Sequence, residues 1–104
     1  MLFIIYQRDK PGGQAIREAT RDAHLAYLDA HKDKLVLGGA LLGEDGKARL
    51  GSVLIINAGS RAEAEAFSEN EPFRSAGLFD RVEIHHMRKG QWNPAAAPRT
   101  AEGG

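Results

Sequence analysis

Read along its 104 residues, the chain runs strand, helix, strand, strand, helix, strand, and that order predicts an α+β fold of the ferredoxin-like kind. The expected architecture is a four-stranded antiparallel sheet with two helices on one face. Three observations carry it. Four short apolar runs lie at 2–7, 35–42, 51–57 and 79–88; helix-favouring stretches separate the first from the second and the third from the fourth; and clusters of Gly, Pro, Asp and Asn punctuate the joins.

The first strand, Leu2 to Gln7, is rich in β-branched and aromatic residues and ends at the turn Asp9-Lys10-Pro11-Gly12-Gly13. From Gln14 to Lys32 the composition favours helix, with seven alanines or leucines between Ala15 and Ala30 and no internal glycine or proline. Leu35 to Leu42 is the second strand, passing a flexible point at Gly38-Gly39. The hairpin turn Gly43-Glu44-Asp45-Gly46-Lys47 leads into the third, Gly51 to Asn57. Ser60 is the expected N-cap of a second helix running to about Ser68, with Glu63 three residues on to complete a capping box. Asn70 to Ser75 reads as a short turn-rich link, and Phe79 to Arg88 as the last strand. Beyond Gly90, Pro94 and Pro98 fall among alanines. The expectation is one domain over residues 1–93 and a flexible tail over 94–104.

Composition narrows the function classes. Lysine plus arginine equals aspartate plus glutamate at 14 each, so no long-range field draws the chain to nucleic acid or anionic lipid, and a small-molecule partner fits better. With no cysteine, disulfides, thiolate chemistry and the cysteine-based zinc signatures drop out. Met1-Leu2-Phe3-Ile4-Ile5-Tyr6 is too short for a signal h-region, lacks a preceding basic flank and runs straight into charged Arg8-Asp9-Lys10. It reads as a strand of a cytoplasmic protein with no membrane segment.

The strands also bear on assembly. A sheet with one wet face alternates apolar and polar residues, yet Leu2-Phe3-Ile4-Ile5-Tyr6 and Val53-Leu54-Ile55-Ile56 are apolar at both parities. Two helices can cover only one face. The other is expected to pack against a second copy as a homodimer, unless the chain's own tail, through Trp92, supplies the cover.

At 100° per residue, Arg17, Arg21, His24, Leu28 and His31 form one stripe of the first helix, with Leu25 at its edge. A core-facing helix fills such a stripe with aliphatics, so the polar half is expected to face a cavity or the rim of the sheet, with Leu25 and Leu28 in the core. The alternative is a solvated arginine face carrying an incidental histidine. Histidine takes and gives protons near neutral pH, and a carboxylate partner fixes its tautomer. Glu71, held extended by the following Pro72, is one available partner, and Asp9 at the end of the first strand is another. Adjacent His85 and His86 point to opposite faces of a strand and cannot chelate one ion, so no metal is expected. Gly12-Gly13 and Gly38-Gly39 match neither GxGxxG nor GxxxxGK, no nucleophile elbow is present, and no cofactor is indicated.

Taken in order, Asp9-Lys10-Pro11-Gly12, Arg21-x-x-His24-Leu25-x-Tyr27-Leu28, Gly38-Gly39-Ala40-Leu41-Leu42, Gly51-Ser52, Glu71-Pro72-Phe73, Ala76-Gly77-Leu78-Phe79 and Val82-Glu83-Ile84 resemble the YciI-like (YCII-related) family from residue 1 to about 89. The resemblance implies a ferredoxin-like fold assembled as a dimeric α/β barrel and a site built on a histidine and an aspartate. The histidine carries over to His24. The aspartate falls on Glu71, a departure that keeps the charge and moves it by one methylene, enough to loosen a positioned proton transfer. One characterised relative is a dehydrochlorinase of a chlorinated hydroxyhydroquinone; similar barrels include muconolactone isomerases and cofactor-free monooxygenases. The expected function is cofactor-independent proton transfer, of lyase or isomerase type, on a small cyclic or phenolic molecule. His24 would be general base or acid, Glu71 its orienting partner, and Arg21 or Asp9 a substrate anchor. The rival expectation is a non-catalytic ligand-binding or accessory domain in which His24 and Glu71 satisfy each other.

Overall fold

The computed structural model describes residues 1–104. Its elements follow the expected order with one addition: β1 (Leu2–Asp9), α1 (Gln14–Ala30), β2 (Leu35–Leu42), β3 (Arg49–Asn57), α2 (Arg61–Glu69), α3 (Pro72–Ser75) and β4 (Phe79–Met87). The strands form one antiparallel sheet in the order β2-β3-β1-β4, the ferredoxin-like arrangement. No helix is long and apolar enough to cross a membrane.

Alternation along the strands places the core. On β1, Phe3, Ile5 and Gln7 are buried beneath the helices, joined by Leu54 and Ile56 from β3 and by Ala64 and Phe67 from α2. Ile4, Tyr6, Val53 and Ile55 point the other way and are half-buried, and Leu37 on the edge strand is 63% exposed. The chain alone leaves this helix-free face open. Trp92 does not close it: that side chain is 60% exposed, and every residue from Arg88 to Gly104 is exposed, including a 3₁₀ turn at Pro94–Ala96. His85 and His86 do part to opposite faces, His86 stacking on Phe3 with ring centroids 4.9 Å apart and His85 Nε2 lying 3.0 Å from Glu83 on the open face.

Two local expectations need correcting. The Asn70–Ser75 link contains a helical turn, α3, because Pro72 sits at its first position, where a missing N–H costs nothing, and Glu71 Oε2 accepts from the backbone N–H of Arg74 at 3.4 Å. Leu25 is not core. It is 48% exposed, because the inward line of α1 runs through Arg17, Thr20, His24, Tyr27, Leu28 and His31, turned toward Thr20 and Tyr27 and away from Arg21 and Leu25. The Tyr27 hydroxyl fixes that rotation by donating to the carbonyl of Phe67 at 2.8 Å, tying α1 to α2. Ser60 does cap α2, its Oγ accepting from Glu63 N, but the Glu63 carboxylate reaches back to the N–H of Gly59 rather than of Ser60.

Candidate active site

His24 and Glu71, 47 residues apart, meet between α1 and α3. Nδ1 of His24 lies 2.5 Å from Glu71 Oε1, and the Glu71 side chain is 0% exposed. An ionised carboxylate offers only lone pairs, so in that state the proton of this bond is carried by Nδ1, which leaves the Nε2 lone pair as the basic atom. The positions of both groups follow from local sequence. Pro72 keeps Glu71 extended (φ −69°, ψ 128°), and the first turn of α3 presents Phe73, whose ring stacks on the imidazole with centroids 3.9 Å apart and planes 16° off parallel. Ring and carboxylate together hold the imidazole in one orientation.

The other expected residues are placed as follows. Asp9 does not approach His24; it accepts from Arg17 through Nε at 3.1 Å and Nη2 at 2.9 and 2.8 Å, a forked pair that is nearly buried. Arg17 in turn lies over Phe73, its guanidinium carbon 4.8 Å from the ring centroid. Arg21 is exposed at the mouth of a cavity of about 340 Å³ that His24, Arg17, Leu25, Phe73 and, from the far wall, Arg49 also line. A second hollow of about 220 Å³ continues between α1 and the sheet, sharing His24, Arg49 and Phe73 and adding Leu28, Ser52 and Leu54. Leu25, displaced from the core, forms part of both walls. Arg49 escaped the reading of the sequence because a lone arginine at the start of a strand carries no pattern; it pairs with Leu42 of β2, and only the folded sheet brings it to the cavity that α1 lines.

The Glu71 charge is felt elsewhere. Burial first, and the Glu71 carboxylate second, push the Tyr27 hydroxyl above the ordinary tyrosine value. The arrangement is an imidazole bonded to a buried carboxylate and stacked on an aromatic ring, at the wall of a cavity.

The YCII-related domain is matched over residues 1–88. Over 96 residues the chain is 31% identical to Protein YciI of Escherichia coli O6:H1 and, equally, of Shigella flexneri, spanning 86% of this chain and 98% of each relative. Among solved structures it is similar to the 5-chloro-2-hydroxyhydroquinone dehydrochlorinase TftG of Burkholderia phenoliruptrix in complex with 2,5-dihydroxybenzoquinone, with a TM-score of 0.79, 42% identity, and coverage of 86% of this chain and 96% of that one. With most of its length matched and its fold in agreement, the chain belongs to the YCII-related family.

Proposed function

We propose that the protein is a cofactor-independent enzyme that moves a proton on a small cyclic or phenolic molecule, in lyase- or isomerase-type chemistry. The observation that carries this reading is the His24–Glu71 bond at the wall of an open cavity. With Nδ1 turned to Glu71, Nε2 accepts a proton from a ring hydroxyl or an acidic ring carbon. Electron density enters the ring, and it leaves with a departing group or returns when the imidazolium gives its proton back at another position. Phe73 and Leu25 supply an apolar wall for a flat substrate. Arg21 anchors it at the mouth, and Asp9 acts through Arg17, holding that guanidinium over the ring of Phe73. The 42% identity to TftG supports the substrate class. The working form is a cytoplasmic homodimer, a dimeric α/β barrel closed over the open sheet face, whose half-buried Ile4, Tyr6, Val53 and Ile55 favour it.

Chloride release from 5-chloro-2-hydroxyhydroquinone tests the reading. The wild-type protein is expected to accelerate it, with His24→Gln lowering the rate by roughly 10²- to 10⁴-fold, the contribution usual for a positioned acid or base. Equal rates in both would contradict the assignment. A second reading has its own support: Glu71 also caps α3, so the pair is structurally employed, as in a ligand-binding domain without turnover. Under that reading His24→Gln changes the melting temperature and no rate.

A further inference from the structure

Two guanidiniums at the cavity have no acid to answer them. The Arg17 charge is met by Asp9, but neither Arg21 nor Arg49 has a carboxylate within 4.0 Å. The acid on the same rim, Glu18, accepts a hydrogen bond from Gln14 Nε2 at 3.1 Å. In a chain of zero formal net charge, this rim is locally positive. Arg49 differs from Arg21 in lining the inner hollow as well as the outer cavity.

Next to Ser52, which lines the inner hollow, β1 holds a second anomaly. Gln7 occupies a position in the apolar row of β1, after Phe3 and Ile5, where packing alone would favour an aliphatic side chain; it is 1% exposed. Its Nε2 donates to Ser52 Oγ at 2.9 Å across the β1–β3 register, and its Oε1 has no partner. A buried amide oxygen without a protein partner costs stability relative to an aliphatic side chain at the same place. Because Ser52 Oγ is the acceptor in that bond, its own O–H remains free to donate, and Ser52 lines the hollow beside His24 and Arg49.

We infer that Arg49 and Ser52, the latter oriented by Gln7, form the recognition half of the site, and that the ligand they select is an anionic ring oxygen, a phenolate or the enolate of a hydroxyquinone. This rests on the proposed function only in taking His24 as the group that then handles the proton. Arg49 supplies the charge and Ser52 the directed donor. The two lie on β3, opposite the helix that carries His24, so the ring is held between the groups that bind it and the group that acts on it. Gln7 is a positioning residue, acting through the Ser52 hydroxyl.

Calorimetric titration with 2,5-dihydroxybenzoquinone separates binding from chemistry, because its enolic hydroxyls are vinylogous carboxylic acids and are already ionised at neutral pH. Its dimethyl ether, 2,5-dimethoxybenzoquinone, has the same ring and cannot ionise. The wild-type protein is expected to bind the hydroxyquinone at least about tenfold more tightly than the ether, as a charge-assisted contact requires. Arg49→Gln, at an exposed position, should abolish that preference while leaving the ether's affinity unchanged; Arg49→Lys should restore part of it. Ser52→Ala and Gln7→Leu should weaken the hydroxyquinone by the same, smaller factor and not add when combined. His24→Gln should keep the preference for the hydroxyquinone over the ether, whatever it does to the two affinities, so a failure of the proton-transfer reading leaves this result standing. The inference is overturned if the ether binds as well as the hydroxyquinone, if Arg49→Gln binds the hydroxyquinone like the wild type, or if the wild-type protein does not bind it at about 1 mM.

Discussion

Glu71 answers His24 with a side chain one methylene longer than the family's aspartate, and the bond still closes at 2.5 Å. That much was legible: a histidine in a polar helical stripe and a carboxylate before a proline. What stayed hidden was the company they keep. Phe73 read as one more residue of a short motif, Asp9 as a second partner for His24 or a substrate anchor, and Arg49 as nothing, because stacking, forked pairing and a facing wall are relations across the fold, with no periodicity in the chain. The buried charge has a further consequence at Tyr27. A hydroxyl whose value is raised in the folded state favours its protonated form there. Its contribution to stability is therefore intact below the ordinary value of 10.0 and is lost as pH rises through the folded value. Glu71→Gln removes the second of the two causes and leaves the burial. In a Tyr6→Phe background, alkaline titration of tyrosinate absorbance should show Tyr27 ionising at lower pH in Glu71→Gln than with Glu71 present. Unchanged titration would mean that the Glu71 charge does not reach Tyr27.

Among the elements, β1 and β3 approach each other closely at Gly51. A Cβ added at Gly51 would lie 2.0 Å from the carbonyl oxygen of Gln7 and 3.0 Å from its carbon, both backbone atoms that cannot swing aside. The two strands approach here because residue 51 has no side chain, and the Gln7–Ser52 bond is the next step of the same register. Gly51→Ala should therefore cost about 3 kcal/mol, the upper end of the usual overpacking penalty, in a urea melt. A loss under about 0.5 kcal/mol would show that the strands separate freely. The α1 surface illustrates the limit of reading by period. Arg17, His24, Leu28 and His31 were correctly grouped, but Thr20 and Tyr27 complete the inward line and Leu25 does not. Arg21, Leu25 and Tyr27 are equally compatible with the helical spacing until the Tyr27 hydroxyl finds the Phe67 carbonyl. A helix turned the other way would have buried Leu25 and lost its wall of the cavity.

At the scale of the whole molecule, the order of elements was enough to specify a four-stranded antiparallel sheet with its helices on one face, because each strand and the two longer helices carry their own punctuation. The same apolar strands that gave the fold leave its second face open in a single chain. Light scattering at micromolar concentration should return the mass of a homodimer burying more than about 1,000 Å² in total over that face. A chain ending at Asn93 should give the same assembly and a melting temperature within about 5 °C, since the residues removed are all exposed. A monomer would contradict the dimer, and a larger thermal loss would show that the segment after Asn93 is docked.

Whether Glu71 makes His24 a base at Nε2 is decided by the tautomer of that imidazole. Long-range ¹H–¹⁵N correlation spectra of the protein labelled at histidine nitrogen, recorded above the pH at which the imidazole is protonated, should show the proton of His24 on Nδ1 and a pyridine-like Nε2. Glu71→Gln should lose that preference, because an amide can offer either a donor or an acceptor to the ring. A His24 ring carrying its proton on Nε2 in the wild-type protein would contradict the account.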